Sequence, residues 1–272
     1  MGEEQVEKNL RFFMMAFLVV SISALLIACG GGGSDETETS NEATGGEITK
    51  LVAGTDATYA PMEYMDEDGE IVGINIDIVN ALAEELGIEI EFKNIGWEPL
   101  FPAVDNGEVD FAVSSITITE EREESYDFTD PYYIANQLIL VPEDSDVTSF
   151  ADLEDKKVSV QINTTGHKVV KELLGETSTN IVATETMPLA ISEMINGNAD
   201  ASVGDNSVVN EYIKENPNVE VKTIEDDEFE KEYYGLMVKK GNAEVLELLN
   251  EGIQKIKENG KLAEISGFEM EE

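Results

Sequence analysis

From Lys50 onward the chain alternates between two hydrophobic periods. The short apolar runs "KLVAG" (50–54), "IEIEF" (88–92) and "VDFAVS" (109–114) predict strands. Between them apolar residues recur at helical spacing. In "INIDIVNALAEELG" (74–87), Ile78, Leu82 and Leu86 fall at i, i+4 and i+8, and Gly87 stands where a helix end favours a left-handed residue. "EPLFPAVDNG" (98–107) predicts a shorter helix. A second series follows, with strands over "LILV" (138–141), "KVSVQ" (157–161), "NIVAT" (180–184), "ADASVG" (199–204) and "VEVKTI" (219–224), and helices over 165–174, 188–196 and 206–214. "YYGLMV" (233–238) predicts one more strand, and a long helix then runs through Glu258. This alternation predicts an α/β fold with mainly parallel sheets. Two successive series predict two lobes.

Open α/β sheets bind ligands at the carboxyl ends of their strands. The chemistry is therefore expected in four strand-end loops: "TDATYAPMEY" (55–64), "SSITITEER" (114–122), "QINTTG" (161–166) and "GDN" (204–206).

The N-terminus follows a different pattern. Residues 12–28 form an uncharged, strongly apolar run preceded by Lys8 and Arg11. Its length is at the lower edge for a membrane-spanning helix. The run ends in Leu26-Ile27-Ala28-Cys29 before "GGGGS", which resembles the bacterial lipoprotein signal, where the cysteine is lipidated and becomes the new N-terminus. The expectation is a signal peptide over 1–28, lipidation of Cys29, and a tether over 29–47, which has almost no large apolar side chain with which to offset the entropy of ordering. Cys29 is the only cysteine, so it has no disulfide partner within the chain.

Composition narrows the function classes. Asp and Glu number 58 against 17 Lys and Arg, a formal net charge of −41. Such a surface excludes nucleic acid as the main partner, because phosphate binding needs the opposite sign. Screening at molar salt, where the Debye length falls to about 3 Å, relieves the self-repulsion and predicts a haloadapted exported protein. Only two residues are arginine, Arg11 and Arg122, and Arg11 lies in the expected signal segment. Arg122 stands among glutamates, so it reads either as a helix-surface ion-pair partner, which lysine would serve equally well, or as a fork for a planar anion. His167 is the only histidine; without a second ligand or a nearby nucleophile it reads as a surface or cleft-edge residue. No metal and no cofactor are expected.

The ordered stretches "GTDATYAPMEY", "GEIVGINIDIVNALAEELG", "WEPLFPAVDNGEVDFAVSSITITEER", "YDFTDPYY", "DLEDKKVSVQINTTG" and "INGNADASVGDN" resemble the extracellular solute-binding proteins of family 3, the polar amino-acid receptors of ATP-driven importers. The resemblance implies a two-lobed periplasmic-binding-protein-like (type II) fold with two hinge strands. The expected division is lobe 1 over 48–134, lobe 2 over 135–232, and a return to lobe 1 over 233–272, with hinges near 133–136 and 232–234.

The resemblance also implies the roles. Arg122 would grip the α-carboxylate of a free amino acid. Ser114, Ser115, Thr117, Thr164 and Thr165 would complete the oxygen shell, and Asp205 would accept from the α-ammonium. Tyr59 and Trp97 would sandwich the ligand side chain, core packing being the alternative for both. Asp56 and Glu63 suit a cationic tip, although Asp56 also reads as a loop cap. Lys, Arg or His is thus the expected ligand, with glutamine as the neutral alternative. Expected partners are the permease of an ABC importer and the membrane through the lipid anchor, for a monomer that is not an enzyme. A dehydratase-like enzyme of the same fold would need acid–base or nucleophilic groups, and a sensor ectodomain would need a following membrane helix. Three departures from the family pattern stand out: Asn75, where an acid is usual, Asn163, where a glycine is usual, and "GFEMEE" (267–272), where an aromatic-basic ending is usual.

Overall fold

The structure is a computed structural model, and it describes residues 48–268. The expected signal segment, Cys29 and the tether lie outside the described residues.

Two five-stranded sheets carry the fold. The first has the order β5-β1-β6-β15-β7, from β1 (Lys50–Thr55), β5 (Glu89–Asn94), β6 (Phe111–Ala112), β7 (Tyr126–Phe128) and β15 (Met237–Lys239). The second has the order β11-β10-β12-β9-β13, from β9 (Gln137–Pro142), β10 (Val158–Gln161), β11 (Ile181–Thr184), β12 (Ala201–Asp205) and β13 (Val221–Ile224). The expectation of mainly parallel sheets needs correction. β1 pairs parallel with β5 and β6, but β15 runs antiparallel to β6 and β7. Likewise β10 is parallel to β11 and β12, whereas β9 is antiparallel to β12 and β13.

The reason lies in the connections. Parallel neighbours need a crossover, here supplied by helices. β9 and β15 instead enter straight from a hinge ribbon in which β8 (Tyr133–Ala135) and β14 (Glu232–Tyr234) pair antiparallel, with Tyr234 opposite Tyr133. This ribbon also splits the single strand expected over 233–238. Tyr234 belongs to the ribbon and Met237 to the first sheet, and Gly235 makes the turn between them. A Cβ on Gly235 would lie 2.9 Å from Ile118 Cδ1 and 3.2 Å from Phe128 Cδ1. A small sheet of β2 (Thr58–Tyr59), β3 (Glu63–Met65) and β4 (Ile71–Val72) fills the loop after β1.

Helices cover the sheets: α1 (Ile74–Leu86), α2 (Trp97–Asn106), α3 (Glu120–Glu123), α4 (Thr165–Leu174), α5 (Met187–Ile195), α6 (Asn206–Glu215), α7 (Ala243–Glu258) and α8 (Lys261–Ser266). Of the predicted stripe of α1, Ile78 and Leu82 are fully buried and Leu86 partly so, Val79 joins them in the core, and Gly87 closes the helix at φ 71°. That stripe meets Leu249, Ile253 and Ile256 of α7 in one apolar cluster. Each fully buried aliphatic side chain of this kind contributes about 1.5–3 kcal/mol. The two helices approach at Gly252, where a Cβ would sit 2.9 Å from Leu86 Cδ1 and 3.0 Å from Leu82 Cβ. On the other face of the first sheet, Leu100 and Val104 of α2 pack with Ile116 and Met237. No helix among the described residues is long and apolar enough to cross a membrane.

Candidate functional site

Strand ends place the site. Asp56 follows β1, Ser114 and Ser115 follow β6, Gln161 ends β10 and Asp205 ends β12. These residues and Tyr59, Glu63, Trp97, Thr117, Arg122, Thr164 and Thr165 line one cavity of about 320 Å³. All eleven ligand-site residues expected from the sequence are therefore brought together. The volume is at the small end for ligand pockets.

Glu63, at the start of β3, is fully buried. Asn75 Nδ2 donates to its Oε2 at 2.5 Å, Ser115 Oγ to Oε2 at 3.2 Å and Ser114 Oγ to Oε1 at 3.3 Å. Burial holds its carboxyl well above the usual carboxylate range, against the pull of these hydrogen bonds. Beside it, Asp56 Oδ1 accepts from Thr58 Oγ1 at 3.0 Å, so the loop-cap role is real. Its other oxygen accepts from Gln161 Nε2 at 3.3 Å, a bond that crosses from the first sheet's loops to the second sheet. Burial raises Asp56 as well.

Arg122 heads a different group. Thr119 caps α3 by accepting the Arg122 N–H, which directs the side chain back over the cavity. Arg122 Nη1 donates to Thr117 O at 2.8 Å and Nη2 to Asn163 O at 3.4 Å, leaving three of five N–H groups for other acceptors. The guanidinium carbon lies 5.4 Å from the Trp97 ring centroid and 5.7 Å from that of Phe101. Arg122 forms no ion pair with the neighbouring glutamates among the described residues; Glu121 lies 3.8 Å from Lys168 instead. The surface ion-pair alternative is thus not what the side chain does. Burial lowers its pKa, opposed by Glu232 and Asp205, and it stays charged.

Asp205 accepts from Gln137 Nε2 at 2.6 Å and from the Tyr234 hydroxyl. Its carboxyl is raised by burial, with these bonds and Arg122 pulling the other way. Thr164 lines the cavity, yet its hydroxyl already donates to Gln161 O at 2.8 Å and accepts the His167 N–H as the cap of α4. Tyr59 and Trp97 combine the expected core packing with a place on the cavity wall. They are 7% exposed, belong to apolar clusters, and line the cavity. Trp97 stacks edge-on against Phe101 at 5.0 Å, and its buried Nε1 has no hydrogen-bond partner.

Asn163 explains its own departure from glycine. It adopts φ 58°, a left-handed conformation that asparagine tolerates. Its Nδ2 reaches Glu98 Oε1 at 2.9 Å on the facing lobe, and its N–H donates to His167 Nδ1 at 3.0 Å. His167 thus sits at the cleft edge. Ser115, at φ 50°, is the other non-glycine in this region of backbone space among the described residues. Both strained residues adjoin the cavity, where such strain concentrates.

Sequence reasoning missed Gln161, Gln137, Glu232 and Tyr234. The strand-end rule pointed at Gln161, the last residue of "KVSVQ". Glu232 and Tyr234 fell in the expected hinge near 232–234, but nothing marked Glu232 as a site residue among 58 acidic residues.

The description "Bacterial extracellular solute-binding proteins, family 3" matches residues 51–267. A "Probable histidine-binding protein" of Neisseria gonorrhoeae is 36% identical over 258 residues, 94% of each chain. The "ABC transporter arginine-binding protein 1" of Escherichia coli is 33% identical over 219 residues, 80% of this chain and 89% of that one. Among solved structures, the arginine-, lysine-, histidine-binding protein ArtJ of Geobacillus stearothermophilus superposes with a TM-score of 0.77 at 44% identity, covering 80% of this chain and 93% of its own.

Proposed function

We propose, on the premise that the chain belongs to the bacterial extracellular solute-binding proteins of family 3, that it captures a free basic amino acid and delivers it to an ATP-driven importer. The observation that carries this reading is the charge of the cavity. Three carboxylates, Asp56, Glu63 and Asp205, line it against one cation, Arg122. A neutral amino acid adds no net charge, whereas lysine, arginine or protonated histidine adds one positive charge to an acid-rich, desolvated site. Arg122 takes the α-carboxylate through paired hydrogen bonds, and Asp205 takes the α-ammonium. Glu63 and Asp56 take the side-chain cation. Glu63 shares no hydrogen-bond partner with Arg122, so the two ends of the ligand meet separate groups.

Closure follows from the same contacts. Gln161 to Asp56 and Asn163 to Glu98 span the cleft, and the β8–β14 ribbon is the hinge about which the two sheets would separate to admit ligand. We take lobe 1 as 48–134 and 233–272 and lobe 2 as 135–232, in keeping with the strands of each sheet. Outside the cell, a lipid on Cys29 would keep the monomer near its permease. This is binding without turnover; arginine recovered unchanged after long incubation would bear that out. A calorimetric panel of the twenty amino acids tests the ligand. Binding of glutamine in preference to arginine, lysine and histidine would overturn the assignment.

A further inference from the structure

Glu232 is not among the residues lining the cavity, but two of those residues depend on it. From hinge strand β14 its Oε2 accepts from Thr117 Oγ1 at 2.6 Å and from Thr165 Oγ1 at 2.9 Å. Its Oε1 accepts from Gln137 Nε2 at 3.1 Å. A threonine hydroxyl has one proton, and an ionised carboxylate accepts only. Both hydroxyl protons are therefore spent on Glu232, and toward the cavity Thr117 and Thr165 present lone pairs. Gln137 also donates to Asp205, and lies 3.3 Å from Thr165 Oγ1. One wall of the cavity is thus built of acceptors, Asp205 and two hydroxyl oxygens, all joined through groups behind it.

We propose that Glu232 is a positioning residue that fixes this wall for an ammonium group, and that its protonation couples ligand capture to proton release. The proposal rests on the amino-acid-receptor reading above. It assigns the hydroxyls of Thr117 and Thr165 to the α-ammonium rather than to the carboxylate, which is left to Arg122. When Glu232 takes up a proton, its own O–H donates to one threonine oxygen. That threonine's proton then turns toward the cavity and faces the ammonium as a donor. Binding therefore favours the ionised form, and the proton of any protonated Glu232 leaves to solvent.

The surroundings put this exchange near neutrality. Burial and then the negative charge of Asp205 push Glu232 up to about 7, against the three hydrogen bonds that pull it down. The charged and titratable groups around it include Asp205 at the end of β12, Arg122 on α3, Tyr59 on β2 and Tyr234 on its own strand, with Lys168 and Glu172 of α4 and Glu228, Glu230 and Lys231 lining the open pocket on its other side.

The test is calorimetric titration of L-arginine near neutral pH in buffers of different ionisation enthalpy, which counts protons released on binding. Wild type should release protons, and its affinity should fall by up to about tenfold per pH unit on acidification below 7. Glu232→Gln should bind more weakly, release fewer protons by as much as one, and show a flatter pH profile. Glu63 and Asp56 remain in both proteins, so the difference belongs to Glu232. Glu232→Asp, which keeps a carboxylate, should restore part of the release. Equal release by wild type and Glu232→Gln overturns the proposal. If Glu232→Gln does not fold, Glu232→Asp decides: its shorter carboxylate must alter the release and the pH profile, and an unchanged profile overturns the proposal. Binding to wild type without proton release refutes this proposal alone, whereas failure of every amino acid to bind refutes the receptor reading and this proposal with it.

Discussion

Glu63→Gln removes one charge from a fully buried site while nearly preserving shape. In the wild-type protein the carboxylate already has Asn75, Ser114 and Ser115 as donors. Its charge is costly in the empty cavity and offset when a ligand cation arrives. Removing one partner of a buried, hydrogen-bonded charge pair costs about 2–5 kcal/mol. Gln keeps an acceptor oxygen, which puts the expected loss near the middle, about 3 kcal/mol, or roughly a hundredfold in Kd for arginine or lysine. Glutamine as ligand should lose less than about tenfold, because no cation is left unpaired. Stability of the empty protein should move the other way. Glu63 has a folded-state pKa raised above its unfolded value. Wild type is then most stable below the ordinary carboxylate range and loses stability as pH rises toward the raised pKa. The neutral variant escapes that loss, so its melting temperature should match or exceed wild type at neutral pH and fall less steeply as pH rises above the ordinary carboxylate range of about 4. Calorimetric titrations with the four amino acids arginine, lysine, histidine and glutamine, beside melts over that rise in pH, check both signs. An equal loss for glutamine and arginine, or a variant less stable when empty, would refute the reasoning.

Arg122→Lys should weaken every amino acid by at least about tenfold, since an ammonium cannot hold a carboxylate with two parallel bonds or lay a planar guanidinium over the Trp97 and Phe101 rings; fluorescence of the single tryptophan, which lines the cavity, reports the titration. Asn163→Gly keeps the φ of 58° but loses the bond to Glu98, so affinity should drop several-fold, mainly through faster dissociation in stopped-flow, in line with about 0.5–1.5 kcal/mol for one hydrogen bond. Gly252→Ala places a methyl group against Leu82 and Leu86 and should destabilise the fold by about 1–3 kcal/mol in denaturant unfolding, with ligand affinity unchanged.

Periodicity alone determined much of this protein. The face of α1, its Gly87 cap and the strands before each loop follow from local spacing, because period and capping are properties of a few adjacent residues. The strand-end rule gave the loops, and the family resemblance named the eleven residues that meet in one cavity. Sequence left two matters to the tertiary structure. The first was strand direction: β9 and β15 run antiparallel because a hinge ribbon delivers them, and no local pattern records which way a strand enters a sheet. The second was proton placement. Whether Thr117 and Thr165 present protons or lone pairs to a ligand depends on Glu232, 115 residues from Thr117 and 67 from Thr165 along the chain. A hydroxyl's polarity is set by whatever partner folding puts behind it, and that partner is visible only once the chain has closed.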